Sequence, residues 1–155
     1  MHVLPLLCIC FSFWALAIAQ LPFTFSPAFT ASLNLLGTPA PIAIPGGTSV
    51  VLPINGTISG PLLSGKILGG FAHPSIYYNQ TVEQNDIDAY GMTYSNSSFY
   101  FHVAGAGSPV GQVTRVEVTI GGSQYSSLTN GFILGSTSTN ANRTVVTLDT
   151  YLVTL

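Results

Sequence analysis

Residues Ile54–Gly70, INGTISGPLLSGKILGG, decide the fold of this chain. Two short apolar runs are joined there by glycine and proline, a combination that suits a β-hairpin: glycine permits positive φ in the turn and close approach of neighbouring strands, and Pro61 fixes the start of the second strand. Outward from this hairpin, turn signals recur about every eight to twelve residues, the rhythm of an all-β sandwich or barrel. No amphipathic helix stands out.

Alternation and β-propensity predict strands at Phe29–Leu36, Ser49–Ile58, Leu62–Leu68, Ser75–Tyr78, Ala89–Ser95, Ser98–Ala104, Val113–Ile120, Phe132–Ser136 and Thr144–Val153. In Ser98–Ala104, Phe99, Phe101 and Val103 share one side while Tyr100 and His102 share the other. Val116, Val118 and Ile120 likewise oppose Arg115, Glu117 and Thr119. The last strand carries apolar groups on both sides. Such strands suit a barrel wall, and closure removes exposed edges from a chain this apolar. The fold class expected is therefore all-β, a single closed or nearly closed antiparallel β-barrel.

The chain opens on an apolar run, Val3–Ala19, whose Ala17-Ile18-Ala19 has the small-x-small pattern of a signal-peptidase site. Residues 1–19 read as a signal peptide, 20–28 as an extended leader and 29–155 as the barrel domain. The run is shorter than the roughly 20 residues of a spanning helix, so no stable membrane span is expected after cleavage. Both cysteines, Cys8 and Cys10, fall inside it, leaving a secreted chain with no disulfide.

Charged residues are only 5% of the chain, so Ser, Thr, Asn and glycans must wet its surface. Acceptor sequons stand at Asn55, Asn79, Asn96 and Asn142. The basic residues Lys66, Arg115 and Arg143 are scattered, which leaves no footprint for a phosphate backbone and excludes nucleic acid as a partner.

Here the residues support a family resemblance. Gly56-Thr57, Gly60-Pro61, Leu63, Gly65 and Gly69-Gly70 resemble the hairpin signature of the domain of unknown function (DUF) 3237 family. Phe99–Gly107 and Tyr125–Gly135 resemble its central and late segments, in order, so the resemblance spans about Leu33–Leu155. It implies a small barrel similar to calycin and allene-oxide-cyclase-like barrels, with an interior able to hold a small apolar ligand; no general activity comes with it. The family's acidic residue after the double glycine is absent, Phe71-Ala72-His73 following instead, and its Asp/Gly turn before the central strand is replaced by Asn96-Ser97-Ser98.

Residues able to carry chemistry are few. His73, His102, Glu83, Asp86, Asp88, Glu117 and Asp149 show no recognised ligand spacing, so no metal site is expected, and no cofactor motif is present. Glu83, Asp86 and Asp88 read as a solvated acidic loop. No G-x-S-x-G elbow accompanies the serines. Arg115 and Glu117 point the same way: outward they form a surface row, inward they form a polar floor with Tyr94, Tyr100 and His102 as pocket candidates.

Three functions follow. The first is non-catalytic binding of a small apolar molecule or surface polymer, a glycan included. The second is a barrel cyclase or isomerase, for which Tyr100, His102, Arg115 and Asp149 are the candidate catalytic groups and must converge in a cavity. The third is a glycosylated cell-wall or surface structural protein. Oligomeric state has no signature in the chain.

Overall fold

The computed structural model describes residues 22–155 apart from Pro39, so the expected signal peptide lies outside the described residues. The strands are β1 (Thr24–Leu35), β2 (Ile42–Ile44), β3 (Gly47–Ser49), β4 (Leu52–Ser59), β5 (Gly65–Ala72), β6 (Ser75–Tyr77), β7 (Val82–Thr93), β8 (Ser98–Ser108), β9 (Gly111–Ile120), β10 (Phe132–Thr139) and β11 (Val145–Thr154). Eight of them close an antiparallel barrel in the order β7-β5-β4-β1-β11-β10-β9-β8, with β8 returning to β7. The expected closed barrel is the observed one.

The opening hairpin is β4–β5, in register at Gly56↔Ile67, Thr57↔Lys66 and Ile58↔Gly65. Its glycines serve close approach rather than positive φ in the turn. A Cβ on Gly60 would stand 2.4 Å from the Phe29 Cα, and one on Gly56 1.9 Å from the Ser32 carbonyl oxygen. Ser64 closes the loop, its Oγ accepting from the Gly60 N–H at 3.1 Å and donating to the Gly60 carbonyl at 3.1 Å.

Two expectations are corrected. The leader expected over 20–28 is barrel wall from Thr24 onward, because β1 pairs with β11 from Thr24↔Thr154. Pro27 does not end the strand: the register shifts between Pro27 and Phe29, and Thr150 stitches the irregularity. Its Oγ1 donates to the Phe29 carbonyl at 2.6 Å and accepts from the Phe29 N–H at 3.0 Å. A short helix, α1 (Ser126–Asn130), also forms, and its buried Leu128 plugs one end of the barrel.

Inward rows of apolar side chains fill the body of the barrel. Leu33, Ile54, Ile58, Ile87, Phe101, Val103, Val116, Ile133 and Leu148 are all fully buried. Dense packing of that kind is the main stabilising term in a chain with so few charges. At the end opposite α1 the strands part. β7 pairs there with β6 instead of β5, and β6 carries β3 and β2 outward as a small three-stranded flap.

Candidate functional site

The flap and the barrel mouth enclose a cavity of about 250 Å³. Its lining is mostly apolar, with Leu35, Leu52, Ala72, Ile76, Ile87 and Val146. Glu83, Asn85 and Thr139 add polar groups among them, with Arg143 at the rim. Strand alternation explains this mixture. β7 sends its odd-numbered residues inward, so the row that buries Ile87 and Ala89 continues to Asn85 and Glu83 at the mouth.

Glu83 is only 6% exposed, which is unusual for a carboxyl group. Burial raises its pKa above the ordinary carboxylate range, while the Arg143 charge and the Gln112 amide pull the other way. Gln112 faces the interior from β9 and is itself buried. It accepts from the Asn85 amide and donates through Nε2 to the Ser108 carbonyl at 3.1 Å. Space for these side chains comes from Gly105 and Gly107 of β8, which pair across the sheet with Asn85 and Glu83. A Cβ at Gly107 would lie 3.0 Å from the Gln112 Cγ.

Arg143 sits in the turn between β10 and β11 with φ 52°. Asn140 organises that turn: its Oδ1 accepts from the Thr144 and Val145 N–H groups at 2.8 and 3.1 Å, and its carbonyl accepts from the Arg143 N–H at 2.9 Å. The sequons Asn79 and Asn142 are exposed at this same end, Asn79 in the β6–β7 turn and Asn142 beside Arg143. Asn96 is exposed in the β7–β8 turn at the opposite end. Asn55 lies within β4, half-buried, and its Oδ1 accepts from Asn34 at 3.0 Å.

The groups expected to line a pocket lie elsewhere. Tyr100 and His102 face outward because Phe99, Phe101 and Val103 take the interior of β8. Arg115 and Glu117 face outward from β9 for the same reason and pair with each other at 3.1 Å, Arg115 also lying 5.5 Å from the Phe132 ring centre. Asp149 is on the outer face of β11, two strands from β9, accepting from Thr30 at 2.6 Å. Tyr94 is 69% exposed, beside the loop that caps the α1 end. The cyclase set Tyr100, His102, Arg115 and Asp149 therefore does not converge in a cavity, and Tyr94, Tyr100, His102, Arg115 and Glu117 are not pocket residues of the interior.

A separate polar cluster forms on the outer wall. His102 Nδ1 is 3.0 Å from the Asp88 carboxylate and 3.7 Å from that of Asp86. Tyr100 donates to Asp88, which pushes the Tyr100 pKa up to about 12 and holds the Asp88 carboxyl below its ordinary range. The ligand atoms of Asp86, Asp88 and His102 lie within 4.8 Å of one another, so groups able to hold a cation converge where sequence spacing gave no sign of it. They are partly or fully exposed, and in this arrangement the imidazole and the phenol both meet the Asp88 Oδ1.

Fold and cavity together define a small eight-stranded β-barrel with a mainly apolar pocket at its open end. No family model and no curated protein matches the chain. Solved structures do. A β-barrel-like protein from Acinetobacter baumannii AYE superposes with a TM-score of 0.75 at 16% identity, over 88% of this chain and 99% of that one. A protein of unknown function from Rhodopseudomonas palustris gives 0.74 at 20% identity, over 85% and 98%. An enzyme from Penicillium herquei gives 0.66 at 18% identity, over 87% and 97%. At these identities the likeness is one of fold.

Proposed function

We propose that the protein binds a small, mainly apolar molecule in the cavity between the barrel mouth and the flap. The observation that carries this reading is the lining of the cavity: aliphatic side chains surround two buried polar groups, Glu83 and Asn85, the composition of a site that takes an apolar body and orients it by one polar end. The hairpin's resemblance to the DUF 3237 signature supports the same reading, since that family implies a ligand-holding interior. The apolar start of the chain supports a secreted protein, with glycans at Asn79 and Asn142 flanking the open end.

The test is titration with the neutral fluorophore N-phenyl-1-naphthylamine. Saturable binding is expected in the parent protein and at least tenfold weaker binding in Ala72→Leu, whose added carbons occupy the cavity. Binding that is absent in the parent, or unchanged in a folded Ala72→Leu, removes the reading.

A second reading is proton-transfer catalysis of the cyclase or isomerase type, now centred on Glu83 rather than on the outward-facing groups. It is favoured by the buried carboxyl, whose raised pKa brings it toward the range of a general acid or base. The Penicillium herquei protein of like fold is an enzyme, which is in keeping with it. A substrate converted by the parent and bound but not converted by Glu83→Gln supports it; equal turnover by both ends it.

A further inference from the structure

The one basic group at the cavity mouth, Arg143, has no ion-pair partner among the described residues. The ion pairs among the described residues are His102 with Asp86 and Asp88, and Arg115 with Glu117; Arg143 joins none of them. The carboxyl nearest to it in the cavity is Glu83, which burial drives toward the neutral form. The protein therefore presents a permanent cation at the rim of an apolar hole and beside it a carboxyl that resists ionisation. Arg143 is exposed at that rim, and its planar fork of donors matches a carboxylate.

The placement is built into the local chain. Arg143 occupies the left-handed region, φ 52°, which costs a non-glycine residue free energy and persists only where its surroundings hold it. Asn140 supplies that hold through its side chain and carbonyl. Arg143 is also one of only three Lys or Arg residues in the chain. Below it, Leu35, Leu52, Ile87 and Val146 offer nothing but aliphatic contact.

From this arrangement we propose that the molecule held in the mouth cavity is a hydrophobic carboxylic acid, bound as the anion: its carboxylate lies against Arg143, its apolar body lies along the aliphatic lining, and the Glu83 carboxyl donates a hydrogen bond to it. The proposal rests on the binding reading above and adds the ligand's chemical class. Two acids side by side at one cation share a single proton, so binding of the ligand anion favours the protonated form of Glu83 that burial already favours. Facing Glu83 are Arg143 from the β10–β11 turn, the neutral Gln112 from β9 and, on its own strand, the neutral Asn85.

The experiment compares 2-naphthoate with 2-naphthamide, which share shape and apolar area and differ in charge. Calorimetric titration is run with the parent protein, Arg143→Asn, Arg143→Lys and Glu83→Gln. Asparagine is chosen because it enters the left-handed region readily, so the turn is retained. The parent is expected to bind naphthoate at least tenfold tighter than naphthamide, and Arg143→Asn to lose that preference while binding the amide as before. Arg143→Lys keeps part of the preference, and Glu83→Gln binds naphthoate more tightly than the parent does above the Glu83 pKa, because its amide needs no proton to stand beside the ligand anion. Equal affinity of the parent for the two probes overturns the carboxylate assignment and leaves the binding reading standing, as does a naphthoate preference that survives in folded Arg143→Asn. Failure of both probes, together with failure of the neutral fluorophore, overturns both.

Discussion

The same substitution at two inward-facing alanines separates a real cavity from a fully packed interior. Ala72 of β5 is 3% exposed and lines the mouth cavity; Ala31 of β1 is 0% exposed and lies in the packed body of the barrel. Leucine adds three carbons at either position. At Ala72 they enter existing space beside Leu52 and Ile87, the register neighbours across the sheet. At about 0.8 kcal/mol per buried carbon, Ala72→Leu gains at most about 2 kcal/mol. At Ala31 no space is available, and overpacking of a dense core costs about 1–3 kcal/mol. The two variants are therefore expected to differ by about 1–5 kcal/mol in unfolding free energy, with opposite signs. Chemical denaturation followed by far-ultraviolet dichroism measures both, and in thermal melts a change of 1 kcal/mol corresponds to about 2–4 °C in Tm for a chain of this size. If Ala72→Leu is as destabilising as Ala31→Leu, the cavity is not there and the site built on it is wrong.

Three further outcomes follow from single groups. Glu83→Gln removes a carboxyl whose native pKa is raised, so the parent loses stability as pH rises from the unfolded value of 4.5 through the native one; the variant's relative gain in Tm should be larger at pH 8 than at pH 4. Asp88→Asn takes away the carboxylate charge that helps hold the Tyr100 pKa near 12, and carbon NMR of the tyrosine ring should show it falling toward the ordinary value of about 10. Thr150→Val strips both hydrogen bonds from the β1 irregularity and leaves the Phe29 backbone groups unpaired in a buried site, a cost of about 1–3 kcal/mol readable by urea denaturation.

Architecture was legible because period-2 alternation reports burial directly: the phases of Phe99–Val103 and Val116–Ile120 place their side chains on the faces the structure gives them. The site was missed for a related reason. Glu83, Asp86 and Asp88 look like one acidic loop, yet Glu83 shares the odd phase of Ile87 and Ala89 and is buried, whereas Asp86 and Asp88 share the even phase and face out. Extending the alternation back from Ala89 through Val82 recovers that split. Of the flap only β6 was legible, as the strand expected at Ser75–Tyr78; β2 and β3 are three residues each and are fixed by pairing with one another and with β6. The outer Asp88–His102–Tyr100 cluster also depends on register across two strands, with Asp88↔His102 and Tyr90↔Tyr100 as partners, which spacing along one strand does not encode. Thr24–Ala28 reads as a leader because Pro27 breaks the pattern, and it joins the sheet by pairing with β11, more than a hundred residues away, with Thr150 bridging the irregularity at Phe29.

Ligand entry at the open end of the barrel is the claim on which the binding site stands or falls. Chemical-shift mapping of the isotope-labelled protein during titration with 2-naphthoate tests it most directly. The largest changes are expected at Ile76, Asn85, Ile87, Arg143 and Val146, with Tyr94, Tyr100 and His102 unmoved. Changes centred on the outer wall at Tyr100 and His102 contradict it.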